Sequence, residues 1–160
     1  MKSTFLTKPL AAAAVCALLL AGCASMGGGG GNGVEPLSMG NYSNIKDEQY
    51  KDVHNQADLD ALWTQAFGNL SGAPDKPTVD FSKNMVLAMF LGDQKHGGYL
   101  VRFTDFSVTG DTANVTVEVI IPGTNCRYPQ RASNPFAFAL APAVKQVNFN
   151  VTQRNAPACG

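Results

Sequence analysis

Three regimes of hydrophobic patterning divide the chain. Leu10 to Leu20 is a continuous apolar run with no polar face. Between Asn55 and Gly68 the period is helical: Leu59, Leu62, Trp63, Ala66 and Phe67 fall at i, i+3, i+4, i+7 and i+8, one stripe of an amphipathic helix. Asn55 can cap that helix, Asp58 places a negative charge in its first turn, and Gly68 ends it. Gly68 to Pro77 is rich in turn formers and reads as a surface loop. From Asn84 onward the period becomes two. Asn84 to Leu91 is almost wholly apolar, the pattern of a central strand buried on both faces. Tyr99–Val108 and Ala113–Ile121 flank Thr109-Gly-Asp-Thr112 and predict a hairpin. In its second arm Val115, Val117 and Val119 share one face and Asn114, Thr116 and Glu118 the other. Phe136–Leu140 and Val144–Val151 predict two further strands joined around Ala141-Pro142-Ala143. Upstream, Tyr42–Ile45 and Gln49–His54 are shorter strand candidates. The expected fold class is α+β: one amphipathic helix packed on a small, mostly antiparallel sheet of about five to seven strands.

Composition changes this picture little. The 160 residues suit a single domain, and 12 Lys+Arg against 12 Asp+Glu leave no basic field for a nucleic acid. A charged fraction of 15% beside 45% hydrophobic residues also excludes a chain disordered throughout.

The apolar run changes it more. Lys2 and Lys8 precede it and Ala21-Gly22 follow it, the layout of a secretory signal, and its length is about half the ~20 residues of a bilayer-spanning helix. Leu20-Ala21-Gly22-Cys23 resembles the bacterial lipobox, in which the Cys thiol receives diacylglycerol, cleavage falls just before it, and the new amino group is acylated, palmitate being a usual chain. The competing reading is ordinary signal cleavage with a free Cys23. Two or three acyl chains hold a protein on a membrane where one binds only reversibly. Ala24 in place of Asp favours the outer membrane, facing the periplasm or the cell surface, by resemblance to the sorting rule of diderm lipoproteins. Gly27 to Gly31, Asn32 and Gly33 then form a flexible spacer. The expected organisation is a signal peptide over 1–22, a lipidated Cys and Gly-rich tether over 23–40, and one domain over 41–160. Without Lys2 and Lys8, ten basic side chains face twelve acidic ones, a formal charge of −2.

Candidate chemistry is sparse. His54 and His96 are the two histidines, and the chain has no Gly-x-Ser-x-Gly, His-Glu-x-x-His or Cys-x-x-Cys motif. Asp93 and His96, beside Gly97-Gly98, could hold a metal weakly, but a solvated hairpin loop explains the same residues without one. A hydrolase or metal-dependent enzyme would need His54 or His96 in a pocket. No cofactor or metal is expected, and the positive case for an enzyme is missing. Cys126 and Cys159 are the informative pair. Export would place them in an oxidising compartment, where they are expected to form a disulfide stapling the C-terminal tail to the loop after Ile121. A reactive Cys126 thiol beside Arg127 is the competing reading.

Gln56-Ala-Asp-Leu-Asp-Ala-Leu-Trp63, Val79 to Gly92 and His96-Gly-Gly-Tyr-Leu-Val-Arg-Phe103 resemble the PrcB family of protease-complex subunits, as do Ile121-Pro-Gly-Thr-Asn-Cys126 and Asn134-Pro-Phe136. The resemblance runs over roughly residues 42 to 150. It implies an envelope lipoprotein with a non-catalytic, accessory role that associates with or stabilises a protease. A partner would be engaged by strand addition at a sheet edge or through Gly123 to Asn134, where Arg127, Tyr128, Gln130 and Arg131 are types enriched at interfaces. The alternative is a structural envelope lipoprotein with no dedicated protease.

Overall fold

A computed structural model describes residues 33–160. The elements run β1 (Glu35–Gly40), β2 (Gln49–Val53), α1 (Gln56–Phe67), β3 (Asn84–Phe90), β4 (Leu100–Thr109), β5 (Thr112–Ile121), β6 (Phe136–Pro142) and β7 (Gln146–Asn155). They form an α+β domain, and the strands divide between two sheets. The first has the order β1-β6-β3-β2 and is antiparallel throughout; the second has the order β4-β5-β7. The β4–β5 pair is the predicted hairpin, turning at Gly110 and Asp111, with Gly110 at a φ of 60°. β7 lies parallel to β5. Parallel neighbours need a crossover, and β6 supplies it by leaving the second sheet to become an interior strand of the first.

The first sheet is the middle of three layers, because β3 and β6 are apolar on both faces. Val86, Ala88 and Phe90 of β3, with Phe136 and Phe138 of β6, meet Leu59, Leu62, Trp63, Ala66 and Phe67 of α1. The opposite face carries Met85, Leu87, Ala139 and Ala141 against Ala113 and Val115 of β5, and Met89 and Ala137 against Val101, Val117 and Val119. β6 thus alternates Phe toward the helix with Ala toward the second sheet. The small residues let the second sheet approach closely; the large ones fill the wider gap under a helix. Phe138 lies 4.8 Å from Trp63 and 5.5 Å from Phe90 between ring centroids, and Phe67 lies 4.8 Å from Phe136. Asn55 caps α1 by accepting the Asp58 backbone N–H at 2.8 Å.

Three expectations change. Glu35–Gly40, assigned to the tether, is a sheet strand, so the ordered fold begins before Asn41. Pro36 obscures this in sequence, yet an edge strand tolerates a proline that donates no ladder hydrogen bond. Tyr42–Ile45 is not a strand. β1 and β2 lie at opposite edges of the sheet, so the chain between them must cross the ends of β6 and β3. It does so through Asn134 N–H to Asn41 C=O (2.8 Å), Ser43 Oγ to Asn134 C=O (3.2 Å) and Asp93 N–H to Lys46 C=O (2.9 Å). The single expected sheet is two, since period-two patterning fixes which face of a strand is buried and not which neighbour it pairs with. The signal peptide and Cys23 lie outside the described residues.

On the outer face of the second sheet, Glu118 of β5 accepts from Arg102 of β4 and Arg154 of β7, each Nε at 2.7 Å. Partial desolvation works to raise its carboxyl pKa, but the hydrogen bonds from Arg154 and Arg102 outweigh it and hold Glu118 below its ordinary range. A carboxylate with a lowered folded-state pKa adds stability above its unfolded value, 4.5 here, and loses that contribution as pH falls through the lower folded value. Urea midpoints measured between pH 6 and pH 3 should therefore fall less steeply in Glu118→Gln than in the parent. Ala139→Leu should overpack the gap between the sheets and cost about 1–3 kcal/mol in urea unfolding, while Phe138→Ala should cost about 3–5 kcal/mol by opening a cavity under α1.

Candidate functional site

The segment between β5 and β6 is held from three directions. Cys126 and Cys159 form a disulfide with a Cα separation of 4.9 Å, and the Cys159 N–H donates to Thr124 C=O at 3.0 Å. The tail that the bond draws in crosses Gly123 so closely that a Cβ there would lie 2.1 Å from Pro157 O. From the inside, Tyr128 turns its hydroxyl to accept the Gly123 N–H at 2.8 Å and lays its ring on Gly98. Gly98 has a φ of 98°, and a Cβ on it would meet that ring at 2.2 Å. The Gly97-Gly98 pair is therefore a seat for Tyr128. Further along, Gly97 N–H donates to Pro129 C=O at 2.9 Å, and Ser133 exchanges both backbone hydrogen bonds with Gln94.

Between the anchored Pro129 and Ser133 the chain presents Arg131. Its guanidinium lies 4.0 Å over the Tyr42 ring, and its Nε donates to the Tyr42 hydroxyl at 2.8 Å. Such a cation–π contact contributes about 0.5–1 kcal/mol at an exposed site and fixes the guanidinium plane. Arg131 and Tyr42 line a groove of about 390 Å³. One wall is the end of β1 and the following turn, Ser38 to Tyr42; the other is Leu70 to Pro74, after α1; the buried Phe136 of β6 borders it. The second wall is tied down at two points. Trp63 Nε1 donates to Pro74 C=O at 3.3 Å, and Lys76 pairs with Asp60 of α1 at 2.8 Å. The hydrogen bond from Lys76, with a second from Gln56, lowers the Asp60 pKa.

The residues singled out from sequence separate. Arg127, Gln130 and Arg131 are exposed, whereas Tyr128 is half-buried and committed to the clamp. Asp93 and His96 do not form a pair: Asp93 binds Lys46 at 3.3 Å and the Asn134 amide, while His96 lies between Tyr99 and Tyr128 with Nδ1 2.8 Å from the Gly97 carbonyl. His54 is exposed beside Asp52, at 2.9 Å. Among the described residues no three His, Cys, Asp or Glu side chains converge as metal ligands. Sequence reasoning missed Met39, Tyr42 and the Leu70–Pro74 wall. The available signal was that Met39 and Tyr42 are large side chains beside a turn, which in the fold remain 48% and 38% exposed.

Residues 85–139 match the family described as PrcB C-terminal. The chain resembles the PrcB family. The match is narrower than the resemblance read from motifs, for it begins in β3 and ends in β6. The PrcB-like segment contains the two strands apolar on both faces, the hairpin, the Gly97-Gly98 seat, Tyr128 and Arg131. It leaves out α1, β1 and β7, which supply the helix layer, one groove wall and the last strand. No curated protein and no solved structure matches the chain.

Two substitutions test the clamp. Replacing both Cys126 and Cys159 by Ser opens a loop of 33 residues and should lower stability by about 3–4 kcal/mol in chemical denaturation. Gly98→Ala should cost more than Tyr128→Phe, which loses one hydrogen bond at about 1 kcal/mol, because Ala both strains a positive φ and displaces the ring.

Proposed function

We propose that this protein is a lipid-anchored envelope protein that serves a protease complex as a non-catalytic binding module. The observation that carries the reading is the PrcB C-terminal match over residues 85–139, which points to an accessory subunit of such a complex. The sequence around Cys23 supports anchoring by diacylglycerol and further acylation, with the domain held at the outer membrane through the glycine spacer. The Cys126–Cys159 bond suits a domain that works in an oxidising compartment. The partner would be engaged through the exposed loop residues Arg127, Gln130 and Arg131, of which Arg131 lines the groove.

Two measurements test this. Radiolabelled palmitate should enter the parent protein and not Cys23→Ser; label retained by the variant contradicts the anchor. Mild crosslinking in membranes followed by affinity capture should recover an envelope protease in stoichiometric amount, and deletion of the protein should lower that protease's level. Unchanged proteolysis with altered envelope integrity would instead mean a structural lipoprotein without a dedicated protease.

A further inference from the structure

The open edge of the first sheet and the groove beside it specify what kind of partner segment fits. β1 pairs with β6 alone, so one side of its backbone has no strand neighbour among the described residues. An unpaired edge offers N–H and C=O groups in register for an added strand. Pro36 removes one donor near the start of β1 and the ladder is irregular between Pro36 and Ser38, so the regular edge runs from Ser38 to Gly40. Those three residues line the groove, together with Asn41 and Tyr42 just after the strand and Leu70 to Pro74. A volume of about 390 Å³ is that of a small-ligand cleft or a few residues of extended peptide.

Charge selects among extended peptides. Arg131 is the charged residue of the lining, which contains no carboxylate. Its Nε is engaged by Tyr42, and among the described residues its Nη groups make no hydrogen bond or ion pair. A guanidinium oriented by an aromatic ring, with free paired donors, matches a carboxylate. Strand direction then decides which carboxylate. Every pairing in the first sheet is antiparallel, the slightly more stable arrangement per residue. A peptide antiparallel to β1 begins beside the C-terminal end of β1, where Arg131 and Tyr42 stand.

We infer that the β1 edge groove binds an extended peptide segment of a protein partner by antiparallel strand addition, with an acidic side chain at the start of that segment held by Arg131. This rests on the reading of the protein as a binding module and names the site and the chemistry of what it binds.

Fluorescence anisotropy with the full-length chain tests the inference. The probe is an acetylated, amidated hexapeptide of alternating Val and Thr that starts with Glu and carries a dye at its far end. It should bind about fivefold more tightly than the same peptide starting with Gln, and Arg131→Gln should abolish that difference. Methylating the backbone nitrogens that face the edge should weaken binding more than tenfold. Ala73→Glu, on the opposite wall, should weaken the Glu peptide and spare the Gln peptide, which guards against a fold defect in the Arg131 variant. The inference is overturned if none of these peptides binds, if Glu and Gln peptides bind alike, if backbone methylation has no effect, or if a peptide whose only acid is its free C-terminus binds best. Capture of a protease from membranes by Arg131→Gln as efficiently as by the parent would overturn this site and leave the accessory role standing. Peptide recognition without any captured protease would do the reverse.

Discussion

The burial of β3 and β6 on both faces is the constraint from which the rest of the structure follows. A strand apolar on one face needs one covering layer; these two need two. β6 assigns them by size, with Phe136 and Phe138 under the helix and Ala137, Ala139 and Ala141 under the second sheet. The helix supplies Trp63 and Phe67 to the first side, and the valines of β5 supply the second. Because both layers fasten to the same strand pair, the order in which the chain visits them is set by crossings at its ends. The Asn41–Glu48 segment crosses from edge to edge, and the loop after β5 carries the chain from the second sheet into the first.

The candidate site arises at one of those crossings. The loop into β6 is long and carries little apolar surface of its own, so it is held by specific contacts: the disulfide to the tail, Tyr128 on Gly98, and the paired backbone of Ser133 and Gln94. A loop fixed this way can present Arg131 in one place. The crossing segment supplies Tyr42 beneath it, and the end of β1 supplies an edge with no neighbour. Scaffold and site are thus linked, since changing the seat of Tyr128 shifts the loop that carries Arg131. The outer face of the second sheet is a separate matter, ordered by Arg102, Glu118 and Arg154.

Much of the fold is legible in the amino-acid sequence. The helical stripe from Leu59 to Phe67, the doubly buried strand from Asn84, and the hairpin around Gly110-Asp111 all announce themselves by periodicity, which is a local property. What periodicity does not carry is neighbourhood. Nothing in Val144–Val151 says that β7 pairs parallel to β5 through a crossover, and nothing in Tyr42–Ile45 distinguishes a strand from a crossing whose Ser43 and Ile45 point inward. β1 is hidden by Pro36 and by the glycine run before it. The site is half legible: Arg131 stands out as an interface residue type, whereas Tyr128 close by, of equal promise by composition, turns inward because Gly97 and Gly98, far earlier in the chain, leave room for its ring. Tyr42, Met39 and Leu70 become part of the site only where three distant segments meet.

Site-specific photocrosslinking in intact membranes tests the central claim most directly. A photoreactive residue placed at Ser71, on the groove wall, should link to a protease subunit of the envelope. The same residue at Thr116, on the outer face of the second sheet, should not. A protease adduct formed equally well from both positions, or from neither, would contradict the account.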